Sequence, residues 1–231
     1  MTSKITCYLD CVSPYSYYTL LHLERNWKVL EAHNVEIECV PLGTPIFKTN
    51  SLAWNPTNHL AHSSKARNKP PWSLEAKAKY GAYDGARAKK HFGLPNLQSP
   101  DFFPILSLLP QRALCAVKEA HREKFLDIFR DIFHAMWENG KDVSKPEILV
   151  EVLQQRLKDD EAKEVMAKAN SPPYKQRLND NTKQALDHGA FGCPWFFVRN
   201  AKGEEEPFFG SDRCVSSPSV PPSPVSYLAS S

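Results

Sequence analysis

Residues 4–16 read KITCYLDCVSPYS, and this stretch decides the fold because a strand signal here runs directly into a helix start. Residues 4–10 are short and β-prone, which predicts a strand. Ser13 is placed to cap a helix, and Pro14 falls at its first position, where a missing N–H is tolerated. Apolar residues then recur at intervals of 3, 4 and 3, which predicts one buried helix face. These residues are Leu20, Leu23, Trp27 and Leu30.

The next segment completes a β–α–β unit. Residues 35–41, VEIECVP, read as a second strand. We expect it to pair parallel with the first strand, because a helix-length connection separates the two. Strand signals then return only at 194–198 and 207–209, on either side of a turn at 200–203.

The region from 45 to 187 reads as mostly helical after a loop-rich opening. Helices are predicted at 73–91, 121–138, from Ser144-Lys145-Pro146-Glu147 onward, at 159–169 and at 173–188, where Gly189 ends the last. The pattern therefore predicts an α/β protein with a small mixed sheet, formed by 1–44 and 188–213. A helical insertion, 45–187, divides this sheet domain. Residues 214–231 are rich in Ser and Pro and carry no charge, which predicts a disordered tail.

Composition excludes several classes of function. The 231 residues are 42% hydrophobic and 24% charged, with 29 basic and 26 acidic side chains, so the net charge is only +3. Such a balance gives no argument for a nucleic-acid partner. No apolar run approaches the roughly 20 residues of a membrane span, so we expect no membrane partner. The N-terminal segment lacks the apolar core of a signal peptide, which favours an intracellular protein.

Cysteine and histidine spacing argues against two further kinds of site. The six cysteines include no C-x-x-C pair, and in an intracellular chain they are expected to be reduced thiols. His59 and His62 lie one helical turn apart, but no nearby Cys or carboxylate cluster completes a set of four ligands. We therefore expect no metal site.

The first candidate site is Ser13-Pro14-Tyr15-Ser16, at the junction of strand and helix. Such a cap stabilises a helix by about 1 kcal/mol and needs no function. The same geometry offers free N–H groups and the positive end of a helix dipole, which favour an anion. A thiolate placed there would have a lowered pKa, and the Ser13 hydroxyl could donate a hydrogen bond to it.

Two later segments are the other candidates. Residues 189–194 read GAFGCP, either a helix stop before a strand or a loop with a cis-Pro194 that exposes the backbone of Cys193 to an extended ligand. Cys193 would otherwise be a small apolar filler. Residues 208–213 read FFGSDR, either a strand followed by a helix cap or a site where Ser211 and Asp212 bind a charged amino group.

In this order, and separated by a long helical block, the three segments resemble one family. They are similar to the kappa-class glutathione transferases and the 2-hydroxychromene-2-carboxylate isomerases, both in the DsbA-like branch of the thioredoxin fold. The likeness covers roughly residues 4–213. The matching stretches are Tyr8-Leu9-Asp10 through Ser13-Pro14-Tyr15-Ser16, Asn68-Lys69-Pro70-Pro71, Gly189-Ala190-Phe191-Gly192-Cys193-Pro194 and Phe209-Gly210-Ser211-Asp212-Arg213.

The resemblance implies a thioredoxin-like domain, DsbA-type, split by a helical insertion, with glutathione as co-substrate or cofactor and no metal. Ser13 would stabilise the glutathione thiolate for attack on a small hydrophobic electrophile, and Pro14 and Tyr15 would line the thiol end. Asn68 would contact the glycyl unit. The Cys193 backbone, before cis-Pro194, would pair with the cysteinyl unit. Ser211 and Asp212 would hold the γ-glutamyl end.

The sequence departs from the family at two places. Cys193 stands where Leu or Val is usual, which suggests a mixed disulfide with glutathione. The Ser- and Pro-rich segment 214–231 stands where the family has a C-terminal helix, so an inactive or binding-only relative is one alternative. A glutathione-dependent isomerase is another, because it would use the same thiolate. A thiol–disulfide oxidoreductase is disfavoured, since Ser13 and Ser16 occupy its cysteine positions.

The resemblance and the helical block also lead to three broader expectations. The electrophile would lie between the thioredoxin-like part and the insertion, near Phe102, Phe103 and Trp54, because domain junctions are frequent ligand sites. A homodimer is compatible with the family. Mitochondrial, peroxisomal and cytoplasmic locations stay open, since no targeting tripeptide of the S-K-L kind ends the sequence.

Overall fold

A computed structural model describes residues 2–43 and 74–214 of the chain. The strands are β1 (Ser3–Leu9), β2 (Val35–Pro41), β3 (Trp195–Arg199) and β4 (Glu205–Phe209). The helices are α1 (Pro14–Ala32), α2 (Glu75–Phe92), α3 (Leu108–Ala120), α4 (Phe125–Trp137), α5 (Pro146–Leu153), α6 (Asp159–Asn170) and α7 (Pro172–Asp187). Short 3-10 helices run from Arg122 to Lys124 and from Ser211 to Cys214.

The four strands form one mixed sheet in the order β2-β1-β3-β4. β1 and β2 pair in parallel, with Ser3 opposite Val35, which confirms the predicted β–α–β unit. β3 runs antiparallel to β1, and β4 runs antiparallel to β3. The carboxyl end of β1, where α1 begins, therefore lies beside the amino end of β3.

The two faces of the sheet have separate cores. The alternating residues Ile5 and Leu9 of β1 belong to the main core, which continues through α1, α3 and α4. Tyr8 points to the opposite face, into a smaller cluster that includes Ala185 of α7 and Trp195 of β3. Successive strand residues face opposite sides of the sheet, so β1 contributes side chains to both cores. Helices therefore pack on both faces of the sheet, with α1 on one face and α7 on the other.

Charged side chains cover the exposed edge of β2. Glu38 receives Lys4 at 2.7 Å and Lys118 of α3 at 3.0 Å. Burial disfavours ionisation of Glu38, but the hydrogen bonds and charges of the two lysines outweigh it and lower the pKa of its carboxyl to about 2. Lys118 also donates to the carbonyl of Cys39, at 2.8 Å, and so occupies a backbone acceptor of the edge strand.

The helical block differs in detail from the expectation. The helices predicted individually within 45–187 do not include α3. Its Pro110 falls in the first turn, whose N–H groups need no intrahelical partner. The helix predicted at 121–138 begins only at Phe125, after a 3-10 turn. Gly189 follows α7 with a φ of +85°, as predicted for a helix end.

Parts of the predictions fall outside the described residues. Asn68, Trp54 and the segment after Cys214 are among them, and the domain boundaries stay predictions. Among the helices of residues 2–43 and 74–214, none combines the length and the apolar character of a membrane span.

Candidate functional site

The turn between β1 and α1 places Ser13 at the start of the helix, as the sequence predicts. Ser13 has an extended backbone, and its Oγ accepts a hydrogen bond from the Ser16 N–H at 3.3 Å. Pro14 occupies the first helical position. Ser13 is 8% exposed, so its hydroxyl lies at the bottom of the turn rather than on the surface.

The loop before β3 meets this turn. The Cys193–Pro194 peptide bond is cis, which confirms the conformation predicted for it. The Ser13 hydroxyl donates to the carbonyl oxygen of Cys193 at 3.1 Å, across 180 positions of sequence. The first and second candidate segments are therefore in direct contact.

The third segment joins through the backbone. The Gly210 N–H donates to the carbonyl of Pro194 at 3.2 Å, and Gly210 has a φ of +96°. This left-handed conformation turns the chain from β4 into the 3-10 helix, which contacts α1. Ser211 is buried at 7% exposure, whereas Asp212 is exposed. We call the group Ser13, Cys193, Pro194, Gly210 and Ser211 the α1 site.

Tyr15 connects the α1 site to the helical block. Its hydroxyl donates to Oδ2 of Asp84 on α2 at 3.0 Å, and its ring meets Tyr18 edge-on at 6.1 Å. Burial, together with the Asp84 carboxylate, raises the pKa of Tyr15. Tyr15 is therefore a neutral hydrogen-bond donor whose hydroxyl is already engaged by α2.

The thiol of Cys193 is not activated. Burial raises its pKa well above the usual range, and the Asp10 carboxylate adds to the effect, while a hydrogen bond with Ser16 partly opposes it. Burial and Asp10 act in the same direction on the Cys11 thiol. Since the thiolate is the reactive form of cysteine, both groups are poor nucleophiles. This weakens the mixed-disulfide hypothesis for Cys193.

Two supporting residues were missed by the sequence reasoning. Asp10 is fully buried behind Ser13 and accepts hydrogen bonds from Ser107 and Gln111 at the start of α3. Trp137 of α4 donates its indole N–H to the carbonyl of Cys11 at 2.9 Å. The position of Asp10, an acidic residue directly after a predicted strand, could have indicated a functional role. Trp137 has no such signal in the sequence, because its helical spacing indicates only burial.

An apolar surface lies on the loop before α3. Phe102 is 37% exposed and Leu106 61% exposed. Phe103 is partly buried, and its ring contacts Trp137 at 5.5 Å. Ser107 in the same loop donates to Asp10, and the Asp10 carbonyl accepts the Ser13 N–H, so this surface is connected to the α1 site through Ser107 and Asp10. No three His, Cys, Asp or Glu side chains in the described ranges are grouped so that they could hold a metal.

These features define a thioredoxin-like α/β protein. A parallel β1–α1–β2 unit is followed by a helical insertion and then by an antiparallel hairpin that begins at a cis-proline. The model of the DSBA-like thioredoxin domain family matches residues 4–216, and the chain belongs to this family.

Known relatives agree with the resemblance seen in the motifs. The chain is 27% identical to glutathione S-transferase kappa 1 of Caenorhabditis elegans over 91% of this chain and 87% of that one. It is also 27% identical to the human glutathione S-transferase kappa 1, over 90% and 86% of the two chains. Among solved structures, a 2-hydroxychromene-2-carboxylate isomerase is 18% identical, with a TM-score of 0.67 and coverage of 91% and 90%. That last likeness concerns the fold.

Proposed function

We propose that this protein is a glutathione transferase of the kappa type, which stabilises the glutathione thiolate for attack on a small hydrophobic electrophile. The observation that carries the proposal is the contact of the Ser13 hydroxyl with the backbone before a cis-proline, at the N-terminus of a 19-residue helix. The two kappa relatives, which span about nine-tenths of the chain, support it.

The thiol of glutathione would sit at the N-terminus of α1. The positive end of the helix dipole stabilises negative charge there, which lowers the pKa of a thiol. The Ser13 hydroxyl, now donating to the Cys193 carbonyl, would turn towards the sulfur. That carbonyl would then be free to accept the N–H of the cysteinyl unit, as an extended ligand does at a strand end.

The two ends of glutathione would be held by separate groups. Ser211, buried beside α1, and the exposed carboxylate of Asp212 suit the charged amino group of the γ-glutamyl unit. Asn68 is proposed for the glycyl end from the resemblance alone. Pro14 and Tyr15 would lie along the thiol end, with the Tyr15 hydroxyl kept in place by Asp84.

The electrophile would approach from the apolar surface before α3. Phe102 and Leu106 present exposed apolar side chains there, and Phe103 of the same loop contacts the ring of Trp137. In a substitution, the thiolate forms a carbon–sulfur bond and the leaving group departs with its electron pair. In an addition to a polarised double bond, the thiolate forms the same bond and the resulting carbanion takes a proton from water. A homodimer is not needed for this geometry and stays a prediction.

The test is a titration of the protein with reduced glutathione, followed by the ultraviolet absorbance of the thiolate as pH is varied. Saturable binding of reduced glutathione that weakens with S-methylglutathione is expected. Ser13→Ala should raise the pKa of the bound thiol by about one to two pH units, the value of a hydrogen bond to a charged group.

Ser171→Ala is the matched control. Ser171 precedes Pro172 at the start of α7, so it is a second Ser-Pro helix start without a role in the α1 site. It should leave the thiol pKa unchanged. Absence of glutathione binding by the folded protein would reject the proposal. A pKa of the bound thiol that is the same in Ser13→Ala and in the wild type would reject the role of Ser13. Product formation without consumption of glutathione would reassign the reaction to an isomerase.

A further inference from the structure

A buried carboxylate lies directly behind the α1 site, and the proposed function assigns it no role. Asp10 follows the last residue of β1 and is 0% exposed. Its Oδ1 accepts the Val12 N–H at 3.1 Å and Nε2 of Gln111 at 3.0 Å. Its Oδ2 accepts the Ser107 hydroxyl at 2.9 Å. A carboxylate that is buried so completely is retained only where several donors satisfy it.

The backbone of the same residue is also tied to the turn. The Asp10 carbonyl accepts the Ser13 N–H at 3.0 Å, and the Asp10 N–H donates to the Ser16 hydroxyl at 3.4 Å. Side chain and backbone of Asp10 therefore contact three successive parts of the turn: Val12, the Ser13 backbone and the first turn of α1. Displacement of Asp10 would move the Ser13 hydroxyl.

The donors on the other side come from α3. Ser107 is the residue before this helix, and Gln111 lies in its first turn. Both side chains are buried, at 4% and 0% exposure. Gln111 also reaches the carbonyl of Leu9 at 3.4 Å, while its Oε1 has no hydrogen-bond partner within the described ranges. A carboxylate near a helix N-terminus is further stabilised by the helix dipole.

We propose that Asp10 is a positioning residue for the α1 site. It fastens the turn that carries Ser13 to the N-terminus of α3, and so holds the Ser13 hydroxyl and the N-terminus of α1 at the place of the ligand's sulfur. This inference rests on the proposed function for the identity of the ligand. The link to α3 does not, because it is made by hydrogen bonds within the chain.

The charge of Asp10 works against the thiolate that its hydrogen bonds help to place. The carboxylate raises the pKa of the neighbouring Cys11 and Cys193 thiols, in addition to the larger effect of burial. A ligand thiol at the α1 site feels the same repulsion. Positioning and charge can therefore be separated by two substitutions that both remove the charge, of which only one also removes the hydrogen bonds.

The two substitutions are Asp10→Asn and Asp10→Ala. Asn keeps an oxygen for Val12 and Gln111 and turns an amide N–H towards the Ser107 oxygen, so the turn stays in place without the charge. The pKa of bound glutathione should fall below that of the wild type. Ala removes the charge and every side-chain bond together, so the pKa of bound glutathione in Asp10→Ala should lie above that in Asp10→Asn, which lacks only the charge. The kcat/KM of Asp10→Ala with a small aryl halide should drop below that of the wild type on the order of tenfold to a hundredfold.

Asp142→Ala is the matched control. Asp142 accepts hydrogen bonds from the N–H and hydroxyl of Ser144 just before α5, which is a similar turn far along the chain from Asp10. It should change neither the thiol pKa nor kcat/KM. Amide hydrogen exchange of residues 11–16 is the second measurement, and it should become faster in Asp10→Ala than in Asp142→Ala.

The outcomes distinguish the two proposals. Glutathione binding by the wild type, with the same thiol pKa in Asp10→Ala and Asp10→Asn and with wild-type kcat/KM and exchange in Asp10→Ala, overturns the positioning role and leaves the proposed function standing. Absence of glutathione binding by the wild type rejects the proposed function, and the exchange rate alone then decides on Asp10. If Asp10→Ala does not fold, Ser107→Ala replaces it. This variant should raise the thiol pKa, lower kcat/KM and speed the amide exchange of residues 11–16. Values equal to those of the wild type would count against the inference.

Discussion

Trp137 donates a hydrogen bond to the turn between β1 and α1, and the contribution of this bond to stability can be tested quantitatively. The indole Nε1 donates to the Cys11 carbonyl at 2.9 Å, and Trp137 is 3% exposed in the main core. Trp137→Phe removes the donor and leaves the Cys11 carbonyl buried without it. Because Cys11 is itself 0% exposed, water cannot easily replace the lost donor.

The magnitude follows from two losses. A buried carbonyl without its partner costs about 1–3 kcal/mol. The smaller ring also leaves space in a close-packed core, which adds about 1 kcal/mol. We therefore expect Trp137→Phe to lower the free energy of unfolding by about 2–4 kcal/mol. Trp27→Phe is the matched control, because it deletes the same atoms from an indole that donates to Glu31 on the exposed side of α1, at 2.9 Å. That loss should be about 1 kcal/mol or less.

Urea unfolding followed by far-ultraviolet circular dichroism measures both variants against the wild type. The slopes of the three curves should agree, so that the midpoints report stability. Equal losses of unfolding free energy in Trp137→Phe and Trp27→Phe would refute the reasoning, because burial of the hydrogen bond would then have no effect on its contribution to stability.

Three further predictions concern charge, backbone and thiols. Glu38→Gln should lower the free energy of unfolding by about 1 kcal/mol at neutral pH. Because the pKa of Glu38 in the folded protein, about 2, lies below the ordinary 4.5, its contribution to stability is complete above pH 4.5 and is lost as pH falls towards 2. The urea midpoints of the variant and the wild type should therefore converge in acid. Gly210→Ala should lower the free energy of unfolding by about 1–3 kcal/mol and weaken glutathione binding. Gly210 has a φ of +96°, and an added Cβ would lie only 2.5 Å from Asp212 Oδ1. Gly93→Ala, also at positive φ but with nothing within 4 Å of the added Cβ, should cost about 1 kcal/mol and leave binding unchanged. Iodoacetamide should label Cys193 only after unfolding in urea, as peptide mapping would show, and rapid labelling of the native protein would contradict its burial.

Local signals were sufficient for the elements that carry the α1 site. The second strand was predicted at 35–41 and is found at Val35–Pro41, and the Ser13-Pro14 helix start is present as predicted. Strand propensity, capping and the fixed φ of proline act within a few residues, so they can be seen in the sequence alone. The last strand was predicted at 207–209 but begins at Glu205, because its first residues are held by pairing with β3 rather than by β-propensity.

Long-range contacts could not be predicted in the same way. Ser13 meets Cys193 across 180 positions, and Asp10 meets Gln111 across 101. The family resemblance placed Ser13 and Cys193 beside the same part of the ligand, but nothing local marked Gln111, since α3 itself was missed. A helix whose first turn contains proline and whose buried face includes a glutamine gives a weak periodic signal, and only tertiary packing reveals the partner of that glutamine.

The chemistry of the α1 site depends on which sulfur is available there. Ser13 and Ser16 stand at the two ends of the S-x-x-S segment, where a thiol–disulfide oxidoreductase needs a cysteine pair, so exchange between two protein sulfurs at these positions is impossible. The helix N-terminus that would stabilise such a thiolate is nevertheless intact. Cys11 and Cys193 are poor substitutes, because burial and the Asp10 carboxylate raise the pKa of both thiols. A reactive thiolate at the α1 site therefore has to arrive with the ligand, which is the chemical role that the proposed function gives to glutathione.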